Sequence, residues 1–212
     1  MLSAQAKLSL LNAKQIEEKR PGIPLLRVLV FCALTLTGFL ADILSKAFVF
    51  EKYFQPQVRP EQHWWIDGVL GIETTTNPGA LFGIFPGYRW LFAILSVVAL
   101  LSIIAWLFVF SGARDRWLNL ALGLVSGGIL GNLYDRLGFG FRPGYPSEIR
   151  NNVRDWIYFR IEGVPWFDPW PNFNIADSLL VCGAILLVLH SIFGASHERA
   201  SQAMQLSESK SA

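Results

Sequence analysis

The chain has 212 residues, 18 Lys and Arg against 16 Asp and Glu, a net charge of +2, and 52% hydrophobic residues. A balance so close to neutral argues neither for nor against nucleic acid. Two cysteines without CxxC spacing exclude a disulfide framework and a paired-cysteine metal site, and the apolar share points to a membrane protein.

Residues 1–23 mix Leu8, Leu10 and Leu11 with Lys14, Glu17, Glu18, Lys19 and Arg20, and read as a cytoplasmic tail. Four runs then approach the ~20 apolar residues that cross a bilayer as a helix. They cover 25–48, 88–110, 117–137 and 175–195, so that 24–195 forms one four-span domain followed by a polar, disordered cytoplasmic tail at 196–212. Cys32 and Cys182 lie inside apolar runs and read as small packing residues. Phe31 stands directly before Cys32, which argues against a lipid-modified cysteine there, and the first run is too long for a cleaved signal sequence.

The first span ends in Asp42 and Lys46, four apart on one helix face. The plain expectation is an interfacial ion pair with Lys46 snorkelling to the surface. The segment 49–87 holds Trp64 and Trp65, read as interface anchors, an alternating stretch near 65–75 that predicts a short strand or two, and an Asn77-Pro78-Gly79 turn. Arg114, Asp115 and Arg116 read as solvated charges on the opposite face. The third span repeats glycine at Gly123, Gly127 and Gly131, a spacing that lets another backbone approach closely. Beside it runs Gly128, Asn132 and Arg136, a stripe facing hydrogen-bonding groups. Residues 138–174 are too polar to span, and the fourth span opens on Asn174 with Asp177 three residues later, the pattern of a capping box.

Antiparallel spans put alternate helix ends on one side. Asp42, Lys46, Asn77, Asn132, Asp135, Arg136, Asn174 and Asp177 therefore converge on a single membrane face, with Asp155 in the loop between the last two spans. The opposite halves of the spans stay apolar, which counts against a channel or transporter. Lys19, Arg20 and Arg27 before the first span put both termini in the cytoplasm and the polar face outside. No serine sits in a Gly-x-Ser-x-Gly elbow, and His63, His190 and His197 lack metal-ligand spacing, so His190 reads as a packed or partly hydrated side chain. What remains is carboxylates. Two of them close together activate water when one is ionised and its neighbour keeps a proton. Composition does not choose among Asp135, Asp155, Asp168 and Asp177.

Five motifs choose. D-x-x-S-K at Asp42 to Lys46, N-x-G-A-x-F at Asn77 to Phe82, G-G-x-x-G-N-x-x-D-R at Gly127 to Arg136, V-x-D at Val153 to Asp155 and F-N-x-A-D-S at Phe173 to Ser178 resemble lipoprotein signal peptidase, signal peptidase II. The resemblance runs over about 25–195, with the motifs in the family's order. It implies an all-α membrane protein, a four-helix bundle with a small extracytoplasmic β element between spans one and two. It implies an aspartic endopeptidase of the bacterial inner membrane with Asp155 and Asp177 as catalytic pair. Asp42, Lys46, Asn77, Gly79, Gly128, Asn132, Arg136, Asn174 and Ala176 would bind substrate or support the pair, and Asp135 would orient Arg136. The implied substrate is a diacylglyceryl-modified prolipoprotein cut on the amino side of its lipidated cysteine, by a monomer without metal or cofactor, and globomycin-type cyclic peptides would inhibit. The link from Arg136 to Asp155 is longer than the family's, and Arg154 beside Asp155 is expected to point away from it. The competing reading is a noncatalytic lipid- or peptide-binding protein of the same fold.

Overall fold

The computed structural model describes residues 22–56, 58–79 and 88–211, with 194–211 as helical backbone only. Ala80, Leu81 and Phe82 of the second motif, and the N-terminal tail up to residue 21, lie outside the described residues.

Four helices carry the apolar runs. Helix α1, Leu25–Tyr53, starts directly after Pro24 and runs five residues past the expected end. Helix α2, Arg89–Ile104, passes into a π-helical turn at Ala105–Val109. Helix α3, Arg116–Arg136, is capped by Asp115, whose carboxylate accepts from the backbone N–H groups of Trp117 and Leu118. Helix α4 is Ile175–Ser211. All four are long and apolar enough to cross a membrane. The expected disordered tail from 196 is instead a continuation of α4. No glycine or proline follows Gly194, and Glu198, Ala200, Gln202, Ala203, Met204, Gln205 and Leu206 are all strong helix formers.

Helix α3 is the hub. It packs against α1, α2 and α4, and more than half of it is buried, whereas the other three spans are mostly exposed. That explains why it is the least apolar of the four: its surface meets protein, and the lipid-facing side chains are those of its neighbours, such as Leu29, Leu36, Leu101, Val188 and Ile192. The glycine stripe does what its spacing predicts. A Cβ on Gly127 would stand 3.1 Å from the carbonyl of Thr35 and 3.4 Å from Gly38 Cα on α1. Gly128 serves the other side, where a Cβ would lie 2.5 Å from the Ala176 carbonyl of α4. Cys32 and Cys182 are exposed rather than packed, since a small apolar side chain is as well accommodated on the lipid side of a helix.

The β element is present and is larger than expected. Strands β1, His63–Ile66, and β2, Leu70–Asn77, form a hairpin, and β3, Val153–Phe159, and β4, Trp170–Phe173, complete an antiparallel sheet in the order β1-β2-β3-β4. The segment between spans three and four therefore supplies half of the sheet. Val49 and Phe50 at the end of α1 bury against Ile72 and Trp156, which seats the sheet on the helix ends. Trp64 and Trp65 turn their edges or faces to Tyr158 and Trp156, with ring centroids 5.3 and 5.9 Å apart.

Candidate active site

The site is built where the sheet meets the ends of α1, α3 and α4. Asp155 is not in a loop. It lies in β3, opposite Thr75 of β2, at the edge of an irregularity where Glu73 and Thr74 of β2 stand against Trp156 alone of β3. Successive residues of a strand point to opposite faces, so Asp155 and Arg154 diverge. Arg154 does point away from Asp155, as expected, but into protein rather than water: its Nη2 lies 2.8 Å from Asp135 Oδ1 and its Nε donates to the same oxygen at 2.9 Å.

That contact corrects the expected role of Asp135. Its carboxylate binds Arg154 and Lys46 instead of orienting Arg136, and Oδ2 also accepts the Arg154 backbone N–H at 3.1 Å. Residue 135 is one step around the helix from 136, and side chains at i and i+1 do not share a face. The Asp42–Lys46 pair is corrected as well. It is no interfacial snorkel but is fully buried, 0% exposed on both sides, at 2.6 Å. Lys46 Nζ further reaches Asp135 at 3.2 Å and donates to Asn132 Oδ1 at 3.0 Å, so the ammonium is held by three acceptors. Asp42, Lys46, Asp135 and Arg154 form a buried network of two acids and two cations.

Above this network stand Asp155 and Asp177, tied together by Asn174. The capping box forms reciprocally: Asn174 N–H donates to Asp177 Oδ2 at 3.1 Å, and Asp177 N–H donates to Asn174 Oδ1 at 2.9 Å. The Asn174 amide nitrogen donates to Asp155 Oδ1 at 2.6 Å and to Asn132 Oδ1 at 3.1 Å. Asn132 in turn donates to Asp177 Oδ1 at 2.8 Å. Ala176 adds its backbone N–H, which donates to Asp42 Oδ1 at 2.9 Å and fixes the start of α4 to α1. Asn77 accepts the Gly79 N–H at 3.0 Å, closing the predicted turn, and its side chain hydrogen-bonds Asp155. Arg136 donates to the Gly79 carbonyl at 3.4 Å, and its guanidinium lies 5.6 Å from the Phe92 ring centre.

A cleft of about 340 Å³ exposes this arrangement. Asn77, Asn132, Arg136, Asp155 and Asp177 form its polar wall, and Val153, Trp170, Phe173, Val181 and Cys182 its apolar one. Trp170 and Phe173 come from β4, a strand that the sequence did not predict. Burial, and next the negative charge of Asp177, push the Asp155 carboxyl up to about 8, against the opposing pull of Lys46, Asn174 and Asn77. Near neutral pH the site thus keeps a proton that an ordinary carboxyl pair would have lost. A protonated and an ionised carboxyl at one cleft can take a proton from water while giving one to a carbonyl. Among the described residues no three His, Cys, Asp or Glu side chains are grouped to hold a metal ion. Asp168 belongs elsewhere, bound to Arg160 and the Gly163 N–H in the exposed loop before β4.

Known proteins resemble this chain along most of its length. The family model described as Signal peptidase (SPase) II matches residues 34–193. The chain is 48% identical over 170 residues to the lipoprotein signal peptidase of Rhodopirellula baltica, covering 80% of this chain and 74% of that protein. It is 36% identical over 151 residues to that of Halothermothrix orenii, covering 71% and 87%, and 34% identical over 165 residues to that of Pseudomonas aeruginosa, covering 74% and 83%. A solved bacterial membrane enzyme, determined in meso at 2.3 Å resolution, superposes with a TM-score of 0.62 at 24% identity, covering 83% of this chain and 93% of that one, a likeness of fold.

Proposed function

The chain belongs to the signal peptidase II family, and on that premise we propose that Asp155 and Asp177 are the catalytic pair of its aspartic endopeptidase. The protein is an intramembrane peptidase that acts on lipoprotein precursors. The observation that carries the residue assignment is the shared Asn174, which holds both carboxylates at the wall of one cleft.

In this reading the site holds one proton near neutral pH, resting on the deeply buried Asp155. Ionised Asp177 takes a proton from water as its oxygen bonds to the scissile carbonyl carbon, and Asp155 protonates the carbonyl oxygen. Collapse of the resulting gem-diol breaks the C–N bond and passes a proton to the leaving amine. The substrate is a prolipoprotein whose cysteine carries diacylglycerol, cut on the amino side of that cysteine. Its acyl chains stay in the bilayer while Trp170, Val181 and Cys182 flank the bond. Arg136 and Asn77 hold the peptide backbone, and Asp42, Lys46, Asn132, Gly128 and Ala176 keep the helix ends in register. The enzyme works as a monomer with the cleft on the extracytoplasmic side and both termini in the cytoplasm, and globomycin-type cyclic peptides occupy the same cleft.

The test is a gel-shift cleavage assay on a diacylglyceryl-modified prolipoprotein with Asp155→Asn, Asp177→Asn and Asp135→Asn at matched folded amounts. The first two abolish turnover and the third keeps part of it. Turnover by Asp155→Asn would remove that residue from the chemistry, and binding without cleavage by the wild type would favour a noncatalytic binder.

A further inference from the structure

A second and larger cavity, about 730 Å³, opens at the other end of the bundle, where α1, α3 and α4 meet. Its rim carries Arg27 from the first turn of α1, with Arg114 and Arg116 on either side of the α3 cap, and its wall is Leu186, Leu189 and Phe193 of α4. Among the described lining residues the one acid, Asp115, is engaged on both oxygens. Oδ1 accepts the Trp117 and Leu118 N–H groups at 2.8 and 3.1 Å, and Oδ2 pairs with His190 Nε2 at 3.0 Å. Among the described residues, the guanidinium groups of Arg27 and Arg116 against one capped carboxylate leave the rim positive. The frame is fixed, because Asn119 donates to the Arg27 carbonyl at 3.0 Å and so ties α3 to α1 beneath the rim.

Depth identifies what meets this cavity. Arg116 and Arg136 stand at the two ends of the 21-residue α3, which at 1.5 Å per residue separates them by ~30 Å, the thickness of the hydrocarbon core. The arginine rim therefore lies at the headgroup level of the leaflet opposite the active-site cleft, and the apolar wall runs from it towards the acyl chains. A phosphodiester joined to acyl chains matches both halves, whereas a free anion would use only the rim.

We propose that this cavity binds one anionic phospholipid. Its phosphate lies against Arg27, Arg114 and Arg116, and an acyl chain follows Leu186, Leu189 and Phe193. His190 is the positioning residue: paired with Asp115, it holds the cap carboxylate away from the phosphate. The site is separate from the peptidase cleft and stands whichever residues cleave the precursor.

The experiment is native mass spectrometry of the full chain with phosphatidylglycerol and phosphatidylcholine of identical acyl chains. The wild type retains one phosphatidylglycerol in preference, and Arg27→Gln/Arg114→Gln/Arg116→Gln lowers its retention by about tenfold or more. Arg142→Gln, at the exposed pair with Glu51 near the other face, leaves it unchanged. If the triple variant folds poorly, Arg27→Gln alone gives the same reading at roughly fivefold. Equal retention of the two lipids by the wild type would overturn the proposal, as would a folded triple variant that keeps the preference. Displacement of the lipid by millimolar glycerol phosphate would reduce the site to an anion site without acyl recognition. A preference that appears only when residues 1–20 are removed would make the chain's own N-terminal segment the occupant, and the lipid reading would fall.

Discussion

Asn174 uses each polar group of its backbone N–H and side-chain amide on the site: Oδ1 on the Asp177 N–H, Nδ2 on Asp155 and Asn132, and the N–H on Asp177 Oδ2. At this scale the protonation of Asp155 is the quantity to measure. Its carboxyl is raised from an ordinary carboxylate to about 8, so the proton is held below that pH and leaves as pH rises through it. Cleavage that needs this proton is therefore present below pH 8 and lost above it, and kcat/KM against pH should show its alkaline limb there. The Asn77 hydrogen bond favours the ionised form, so Asn77→Ala should move the limb to higher pH. A limb that stays in place or moves down would detach Asn77 from Asp155. Lys46 carries the second residue-scale prediction. Lys46→Met leaves the buried Asp42 without its cation and takes one from Asp135, a loss of about 3–5 kcal/mol in stability. Adding Asp42→Asn should recover part of it in a detergent thermal melt, because one uncompensated charge is then removed.

The elements meet through close helix approach and a shared sheet. Gly128 and Gly127 are neighbours in α3, but they face different helices with different clearance. Gly128→Ala drives a methyl into the Ala176 carbonyl at the start of α4, the segment that carries Asn174 and Asp177. It should cost about 1–3 kcal/mol by overpacking and lower kcat as Asn132 and Asp177 separate. Gly127→Ala meets α1 at 3.1 Å or more, away from the dyad, and should be the milder change in both readouts. Equal effects on kcat would mean that the α3–α4 spacing does not position the carboxylates. The β2–β3 pairing acts in the same way on Asp155, since strand alternation sends Arg154 to the ion network and Asp155 to the cleft.

At the level of the molecule, one end of the bundle holds the carboxylates and the other the arginine rim, with apolar helix between. The proposed topology puts Gln62 and Glu148 outside and Ser111 inside. With Cys32 and Cys182 changed to Ala, a membrane-impermeant thiol reagent applied to intact cells should label Gln62→Cys and Glu148→Cys but not Ser111→Cys. The reverse pattern would invert the protein and put the cleft in the cytoplasm. The arginine rim does not decide this, because anionic headgroups occur in both leaflets.

The sequence by itself determined the four spans, the convergence of polar helix ends on one face, the glycine packing stripe and the Asn174–Asp177 cap. Each follows from local periodicity or from spacing within one element, and the five motifs supplied the family. What it left open were choices between residues far apart in the chain. Asp135 binds Arg154 and Lys46 rather than its neighbour Arg136, because β3 crosses over α3 and brings a guanidinium from nineteen residues away. The Asp42–Lys46 pair reads as a surface bridge until the sheet and the start of α4 close over it. Residues 153–159 show no strand signal because their pairing partner, β2, lies some eighty residues earlier, and 170–173 pair in turn only with β3, so the register of both is set by non-local contacts. Only the tertiary structure brings Asp155 beside Asp177 in a shielded cleft. It is that shielding, more than any property of the carboxyl itself, that keeps the proton there.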